Sequence, residues 1–171
     1  MHIIILGAGE VGKQLASRIS GEDHDVILID KNPEKIEGLS STLDCQTLIG
    51  ATGDLDVLLD AGIEKADMMI AVTDVDEVNM IACLIAKRFQ VSNKIARIRS
   101  LQYRQNKVLP LAEVGIDYSI NPEEAAVMDI ISLIYSPAAF EVQEFEESQL
   151  VIKGYRIKKH SQLIRKRLID L

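Results

Sequence analysis

A glycine-rich turn near the start of the chain has the spacing of a phosphate-binding loop. The apolar segment Ile3–Leu6 leads into G-x-G-x-x-G, with glycines at positions 7, 9 and 12, and a helical pattern follows. In this strand–turn–helix context the first glycine permits a tight turn, the second lets a pyrophosphate approach the backbone, and the third lets the helix pack closely. Free N–H groups at the helix N-terminus bind the anion. We therefore predict that Gly7, Gly9 and Gly12 form a pyrophosphate-binding loop.

A carboxylate stands at the end of the second predicted strand, where it can bind the ribose of a nucleotide held by the glycine loop. Asp30 ends the second apolar segment, Val26–Asp30. A carboxylate there accepts hydrogen bonds from both ribose hydroxyls of an adenosine, and it repels a 2′-phosphate. Together with the glycine loop, Asp30 favours NAD(H) over NADP. The same ribose contact suits ATP or ADP.

Two catalytic motifs are nearly matched, and both are rejected. The glycine loop approaches the Walker sequence G-x-x-x-x-G-K-[ST], but Gln14 replaces the hydroxyl residue that binds magnesium, and Glu10 would add a carboxylate to the phosphate cradle. Tyr103 and Lys107 match the Tyr-x-x-x-Lys pair of short-chain dehydrogenases, whose glycine loop is spaced differently; a solvated helix face is expected instead. The histidines and cysteines form no acid–base or nucleophilic grouping. We predict a protein that is not an enzyme; the alternative is an NAD-dependent oxidoreductase fragment that lacks its substrate domain.

Short apolar segments alternate with helical patterns over the first 135 residues, which is typical of a parallel sheet covered by helices. We predict an α/β fold with a doubly wound, Rossmann-like parallel sheet and helices on both faces. The predicted strands are Ile3–Leu6, Val26–Asp30, Thr47–Gly50, Met68–Val72, Ile95–Ile98 and Asp117–Ile120. The helices between and after them are predicted to start near Glu10, Pro33, Asp54, Asp76, Tyr103 and Pro122.

The pattern changes after residue 135, so the predicted domains are 1–135 and 136–171. The second is a linker or C-terminal extension with two extended segments, Ala139–Phe145 and Gln149–Ile157, and the start of a helix at Ser161–Leu171. Because this helical pattern ends on an apolar residue, we expect the beginning of a truncated C-terminal domain. The helix after Pro122 is apolar around most of its circumference, so either another subunit or the chain's own tail is expected to cover it.

Composition and charge exclude several classes of protein. The 171 residues are 47% hydrophobic and 26% charged, which indicates a globular domain rather than a disordered chain. No apolar run reaches the ~18 residues of a membrane span, so no direct membrane insertion is predicted. The net charge of −7 opposes binding to nucleic acid. Two cysteines are too few for a disulfide scaffold, and no metal-ligand spacing is present.

Several segments together resemble the family of regulator-of-K⁺-conductance domains, also called RCK or KTN domains. The run Ala71–Asp74, followed by Glu77 and Asn79, carries the resemblance more specifically than the glycine loop does. The full set of matching stretches is Met1–Gly12, Asp30, Ala66–Asp74, Asp76–Met80, Ile95–Ser100 and Asn121–Glu123.

The resemblance implies a larger set of cofactor-binding residues. Ala8, Glu10 and Val11 would join the pyrophosphate loop, and residues 51–54 would flank the adenine. Thr73 and Asp74 would border the second nucleoside, and Arg97 would reach a phosphate. The complete predicted set is Gly7, Ala8, Gly9, Glu10, Val11, Gly12, Asp30, Lys31, Ala51, Thr52, Asp54, Thr73, Asp74 and Arg97.

The residues themselves allow other roles at two of these places. Thr73 and Asp76 have the spacing of a capping box at a helix start. Arg97 also suits a strand-end arginine in a surface ion pair. Both alternatives stay open at this point.

The resemblance further implies what such a domain does. It would be a regulatory subunit that binds NAD(H), or ATP or ADP at the same site, and controls potassium transport through a Trk- or Ktr-type potassium-translocating membrane subunit. It would assemble as a homodimer or a higher ring. Its implied location is the cytoplasm, peripheral to the inner face of the cell membrane through that partner.

Overall fold

The computed structural model describes residues 1–39, 42–105, 108–135, 139–145, 150–155 and 157. The chain divides into two compact units, Met1–Asn121 and Pro122–Leu171. The sequence-based boundary after residue 135 stays a prediction.

A six-stranded, all-parallel sheet forms the centre of the first unit, and the predicted doubly wound sheet is confirmed. Its strands are β1 His2–Leu6, β2 Asp25–Asp30, β3 Gln46–Ile49, β4 Met68–Ala71, β5 Asn93–Arg97 and β6 Tyr118–Ile120. Their ends differ from the predicted ones by at most two residues. The strand order is β3-β2-β1-β4-β5-β6. It reverses between β1 and β4, and ligands of such sheets bind outside the carboxyl ends of the strands at this switch point.

Helices connect the strands and begin close to the predicted positions. Asp54 caps its helix, since its carboxylate accepts a hydrogen bond from the Asp56 N–H at 3.0 Å. The helix predicted near Tyr103 starts two residues earlier, and the sequence pattern did not predict the short helix Leu111–Val114 or the 3₁₀ helix Ile63–Lys65. The α-helices of the described chain are α1 Glu10–Ile19, α2 Pro33–Ile36, α3 Leu55–Asp60, α4 Asp76–Arg88, α5 Leu101–Arg104, α6 Leu111–Val114 and α7 Pro122–Tyr135.

The apolar strands supply a core on each face of the sheet. Along β1, Ile4 and Leu6 belong to one buried cluster, and Ile3 and Ile5 belong to the other. Side chains alternate between the faces of a strand, so a strand buried on both faces must be apolar throughout. α1 adds Ala16 to the second cluster, whereas α4 covers the opposite face. This double burial holds the strand ends, and therefore the loops that follow them, in fixed positions.

The second unit contains α7 and an antiparallel pair, β7 Ala139–Phe145 and β8 Leu150–Tyr155, which confirms the two predicted extended segments. No residue of α7 is buried, and its predicted cover, by another subunit or by the chain's own tail, stays a prediction. The predicted helix at Ser161–Leu171 lies outside the described residues. Among the described helices, none has both the length and the apolar character that a membrane crossing requires. The exposed apolar side chains of α7 are Val127, Met128, Ile130, Ile131, Leu133, Ile134 and Tyr135.

Candidate functional site

The glycine turn joins β1 to α1 in the geometry that its spacing predicts. Gly7 has φ +104°, which favours glycine, and a Cβ there would lie 3.0 Å from the Thr73 nitrogen. A Cβ on Gly12 would lie 1.9 Å from the Gly7 oxygen, so α1 can pack this closely only with glycine. Gly9 precedes α1 and has no atom within 4 Å of its Cβ position. The turn is therefore closed on the protein side and open at Gly9.

Asp30, the last residue of β2, is tied to the same turn. Its side chain is buried, and its Oδ2 accepts a hydrogen bond from the Ala8 N–H at 2.7 Å while Oδ1 accepts from the Asn32 N–H at 2.9 Å. The Lys35 Nζ lies 3.8 Å from Oδ2. Each carboxylate oxygen can accept more than one hydrogen bond, so Asp30 can also take donors from a ligand.

Asn79 links the ends of the two strands on the other side of the switch point. Its side chain is fully buried in α4. It forms hydrogen bonds with the Thr73 N–H, hydroxyl and carbonyl groups, which follow β4, and with the carbonyl of Arg97, which ends β5. The loops after β4 and β5 are therefore held at a fixed separation.

The capping box, which the sequence left open as an alternative role for Thr73 and Asp76, does not form. The N-cap residue of α4 is Val75, and no side chain caps the helix there. The Asp76 Oδ2 instead accepts hydrogen bonds from the Arg99 N–H at 3.0 Å and the Ser100 N–H at 2.8 Å. Those partners lie more than twenty residues away, so local spacing could not reveal them.

One cavity of about 650 Å³ lies against these strand ends, and we call it the switch-point cavity. Ten of the fourteen predicted site residues line it: Gly7, Gly9, Asp30, Lys31, Ala51, Thr52, Asp54, Thr73, Asp74 and Arg97. The other four, Ala8, Glu10, Val11 and Gly12, are not among its lining residues. They belong to the same loop and to the start of α1, where Ala8 bonds to Asp30 and Gly12 packs on Gly7.

Six further residues line the cavity outside the predicted set, and one of them, Gly53, lies within the segment 51–54 that was expected to flank the adenine. Asn32 and Lys35 lie at the N-cap and in the single turn of α2, directly after β2. The sequence signal for them was available, because residues that follow a parallel strand lie at its carboxyl end. Val72 and Val75 follow β4 and carry the same signal, whereas Val78 lies in α4 and carries none.

Tyr103 is the described residue of the rejected Tyr-x-x-x-Lys pair, and its surroundings do not suit a catalytic base. The Tyr103 hydroxyl donates a hydrogen bond to the Glu77 carboxylate at 2.8 Å, and this bond, with the charge of Glu77, raises the pKa of Tyr103. A raised pKa opposes the tyrosinate that such enzymes use as a base. Lys107 lies outside the described residues. Among the described residues, no group of three or more His, Cys, Asp or Glu is placed to hold a metal.

The strand order, the glycine turn at the switch point and the carboxylate after β2 define the class of doubly wound, dinucleotide-type domains. Within this class, the chain belongs to the TrkA-N domain family, which matches residues 3–122. The family resemblance noted in the sequence is thereby confirmed.

Sequence similarity to curated proteins of the same family extends over nearly the whole chain. The Trk system potassium uptake protein TrkA of Halomonas elongata is 45% identical over 160 residues, covering 91% of this chain and 35% of that protein. A TrkA homolog of Archaeoglobus fulgidus is 34% identical over 171 residues, covering 100% of this chain and 39% of that protein. The chain thus spans little more than a third of the length of these relatives.

Solved structures with 17–18% identity share the fold. The TrkA-N domain of inner membrane protein ybaL from Escherichia coli has a TM-score of 0.67, with 78% of this chain and 96% of that chain covered. The GsuK channel bound to NAD has a TM-score of 0.64, with 84% and 25% covered. GsuK bound to ADP has a TM-score of 0.62, with 81% and 34% covered.

Proposed function

We propose that this chain is the nucleotide-binding regulatory part of a Trk-type potassium uptake system. It binds NAD(H) in the switch-point cavity, with ATP or ADP as alternative ligands of the same site, and it catalyses no reaction. The observation that carries this proposal is the convergence of the open glycine turn, Asp30, Thr73 and Arg97 on a single cavity.

The order of these groups across the sheet suits an extended dinucleotide. Asp30 ends β2, Gly7 follows β1, Thr73 follows β4 and Arg97 ends β5, and these four strands are adjacent. Neighbouring strands are about 4.8 Å apart, so the four ends span about 14 Å. A ribose at Asp30, a pyrophosphate at the glycine turn and a second nucleoside at Thr73 and Arg97 follow one another along this line. The volume of about 650 Å³ also lies within the usual range for small-molecule sites.

The local charges support the same orientation. A pyrophosphate beside Gly9 lies at the N-terminus of α1, where backbone N–H groups and the helix dipole favour an anion. Arg97 and Lys35 add positive charge at either end of the cavity. Asp30 accepts hydroxyl donors from an adenosine ribose and disfavours a 2′-phosphate, so NAD(H) is the preferred dinucleotide.

The regulatory role rests on the relatives rather than on the cavity. Proteins at 34–45% identity are named as Trk system potassium uptake proteins, and a structural neighbour is titled a channel bound to NAD. We propose that the chain acts from the cytoplasm, at the inner face of the membrane, on a Trk- or Ktr-type potassium-translocating subunit. In this proposal it assembles as a homodimer or a higher ring. A nucleotide can then change transport only by binding two states of the assembly with different affinity.

Calorimetric titration with NADH, NAD, ATP and ADP, combined with light scattering, tests the proposal. Gly9→Ala is the decisive variant, because its methyl group meets no protein atom within 4 Å and would occupy the space that a pyrophosphate needs. We expect nucleotide binding by the wild type, at least a tenfold loss in Gly9→Ala, and an unchanged melting temperature.

Equal affinity in Gly9→Ala, or no binding of any of the four nucleotides, would overturn the ligand assignment. A monomeric mass with and without nucleotide would contradict the proposed assembly. Steady oxidation of NADH with a small carbonyl substrate would favour an oxidoreductase instead.

A further inference from the structure

The buried side chain of Asn79 uses its full hydrogen-bonding capacity at the second-nucleoside end of the cavity. Its Oδ1 accepts from the Thr73 N–H at 3.1 Å and from the Thr73 hydroxyl at 2.7 Å. Its Nδ2 donates to the Thr73 carbonyl at 3.2 Å and to the Arg97 carbonyl at 2.8 Å. An amide side chain offers two donor hydrogens and two acceptor lone pairs, and all four are satisfied here.

The orientation of the amide is fixed by its partners. The Thr73 N–H can only donate, so the Asn79 atom that faces it must be the oxygen. The Thr73 and Arg97 carbonyl groups can only accept, so the atom that faces them must be the nitrogen. A carboxylate or an apolar side chain at this position would leave buried backbone groups without partners, and this is costly.

This fixed amide determines which way the Thr73 hydroxyl hydrogen points. Both acceptors within its reach, the Asn79 Oδ1 at 2.7 Å and the Val75 carbonyl at 3.2 Å, belong to the protein. The Val75 N–H lies 3.3 Å from the same hydroxyl oxygen and donates to one of its lone pairs. The hydroxyl therefore offers a ligand one remaining lone pair and no hydrogen.

We propose that Asn79 is a positioning residue that makes the Thr73 end of the switch-point cavity an acceptor site. This end selects a ligand half that presents a hydrogen-bond donor, either a ribose hydroxyl or a carboxamide N–H. The inference rests on the proposed function, because it assumes that a nucleotide occupies the cavity. It adds a reason for the cavity to prefer a dinucleotide over a mononucleotide: only the dinucleotide carries donors that reach Thr73.

Thr73→Val tests the inference first, because valine has nearly the same shape, removes only the hydroxyl and keeps the backbone bond to Asn79. NADH reaches the Thr73 end in the proposed pose, whereas ADP stops at its phosphates. Loss of one hydrogen bond is expected to weaken NADH binding about fivefold to tenfold, with ADP affinity unchanged within about twofold.

Thr52→Val is the matched control in the same cavity. Thr52 lies in the segment predicted to flank the adenine, which NADH and ADP share. The control is expected to leave the ratio of NADH affinity to ADP affinity unchanged within about twofold, whatever it does to either affinity alone.

The role of Asn79 itself is tested by a double-mutant cycle on that affinity ratio. In an Asn79→Ala background Thr73 loses both its backbone bond and its 2.7 Å hydroxyl bond to Asn79, and only the longer 3.2 Å contact with the Val75 carbonyl still holds the hydroxyl. Because Thr73 is then no longer held in position, Thr73→Val is expected to change the ratio by less than about twofold. An equal effect of Thr73→Val in both backgrounds would show that Thr73 acts without Asn79. If Asn79→Ala does not fold, Asn79→Ser takes its place, because its side chain is also too short to hold Thr73 and Arg97 together.

The remaining outcomes separate this inference from the proposed function. Equal weakening of NADH and ADP by Thr73→Val would overturn the acceptor site and leave nucleotide binding intact. Failure of the wild type to bind either nucleotide would overturn both.

Discussion

A cavity lies at each end of the parallel strands, and the two have nearly the same volume. The cavity at the carboxyl ends, here called the carboxyl edge, has about 650 Å³, and the cavity at the amino ends, the amino edge, has about 670 Å³. The second, which we call the acidic cavity, is lined by residues 20–26 and 43–46 and contains four carboxylates and no lysine or arginine among its lining residues. The switch-point cavity has three acidic and three basic side chains together with an open glycine turn. The two cavities therefore differ in charge and in access to backbone N–H groups, and not in volume.

The carboxylates at the two edges also have different bonding partners. At the amino edge, Asp25 pairs with the His2 ring at 2.7 Å, and Asp117 pairs with the Lys94 ammonium at 2.8 Å as well as accepting from the Lys94 N–H at 2.7 Å. At the carboxyl edge, Asp30 accepts hydrogen bonds from backbone N–H groups of the loops. Side-chain pairs join neighbouring strands, but bonds to backbone fix the shape of a loop, which is what a ligand site requires.

The largest effect is expected from Gly12→Ala. Its methyl group would overlap the Gly7 carbonyl, since the Cβ position is 1.9 Å from that oxygen, and backbone cannot rotate away as a side chain can. We expect a loss of at least about 3 kcal/mol in the free energy of unfolding, measured by urea denaturation. Gly21→Ala, in the acidic cavity with no atom within 4 Å, is the control and should change it by less than about 0.5 kcal/mol. Similar losses in both variants would remove the distinction between the two cavities.

A smaller, pH-dependent effect is expected from Asp117→Asn at the amino edge. Burial alone would raise the pKa of Asp117, but hydrogen bonds from the Lys94 side chain and backbone, together with its charge, outweigh this and lower the pKa. A lowered pKa stabilises the fold above the unfolded-state value of about 4, and this contribution disappears as pH falls through the folded value. Asp117→Asn should cost about 1 kcal/mol at pH 7, because the buried Lys94 loses a counter-charge that water partly screens, the Asp117 side chain being 40% exposed.

The difference between variant and wild type should shrink below about pH 4, as the wild-type carboxyl takes up a proton. Chemical denaturation at a series of pH values measures it. A constant difference from pH 7 down to pH 3 would contradict the assigned role of the ion pair.

Charge reversal compares the two cavities as anion sites. Lys35→Glu places a carboxylate beside Asp30 and the proposed ligand, so NADH affinity should fall about fivefold, and the loss should diminish at high salt. Asp44→Lys makes the matched change in the acidic cavity and should leave NADH affinity unchanged. Calorimetric titration at two salt concentrations measures both affinities. If NADH affinity changes more in Asp44→Lys than in Lys35→Glu, the nucleotide binds at the amino edge and the proposed site is wrong.

The smallest effect concerns the two thiols. Burial, and secondarily the charge of Asp44, raises the pKa of Cys45 in the acidic cavity, while burial raises that of Cys83 to about 12. Because the thiolate is the reactive form, Asp44→Asn should speed the labelling of Cys45 by a disulfide reagent at pH 8 by a modest factor. Cys83 should remain unlabelled until the protein unfolds. An unchanged rate at Cys45 would show that Asp44 does not control that thiol.

Much of the fold could be predicted because its signals are local. The unbroken apolar strands and the glycine spacing depend on neighbours in sequence, and both the sheet and the turn at Gly7 were predicted correctly. The partners of Asp76 could not be predicted, because the Arg99 and Ser100 N–H groups reach it only through the pairing of β4 with β5. The role of Asn79 stayed hidden for the same reason, since Arg97 lies eighteen residues further along.

The bond between Asp30 and the phosphate turn affects how much of a lost affinity can be ascribed to the ribose when Asp30 is replaced. Asp30 bonds to the Ala8 N–H of the phosphate turn and also lines the cavity at the predicted ribose position, so one carboxylate couples the two subsites. Replacing Asp30 would relax the phosphate turn as well as remove a hydroxyl acceptor. The measured deficit would then overstate what the ribose contributes, and inorganic pyrophosphate, which has no sugar, should bind more weakly too.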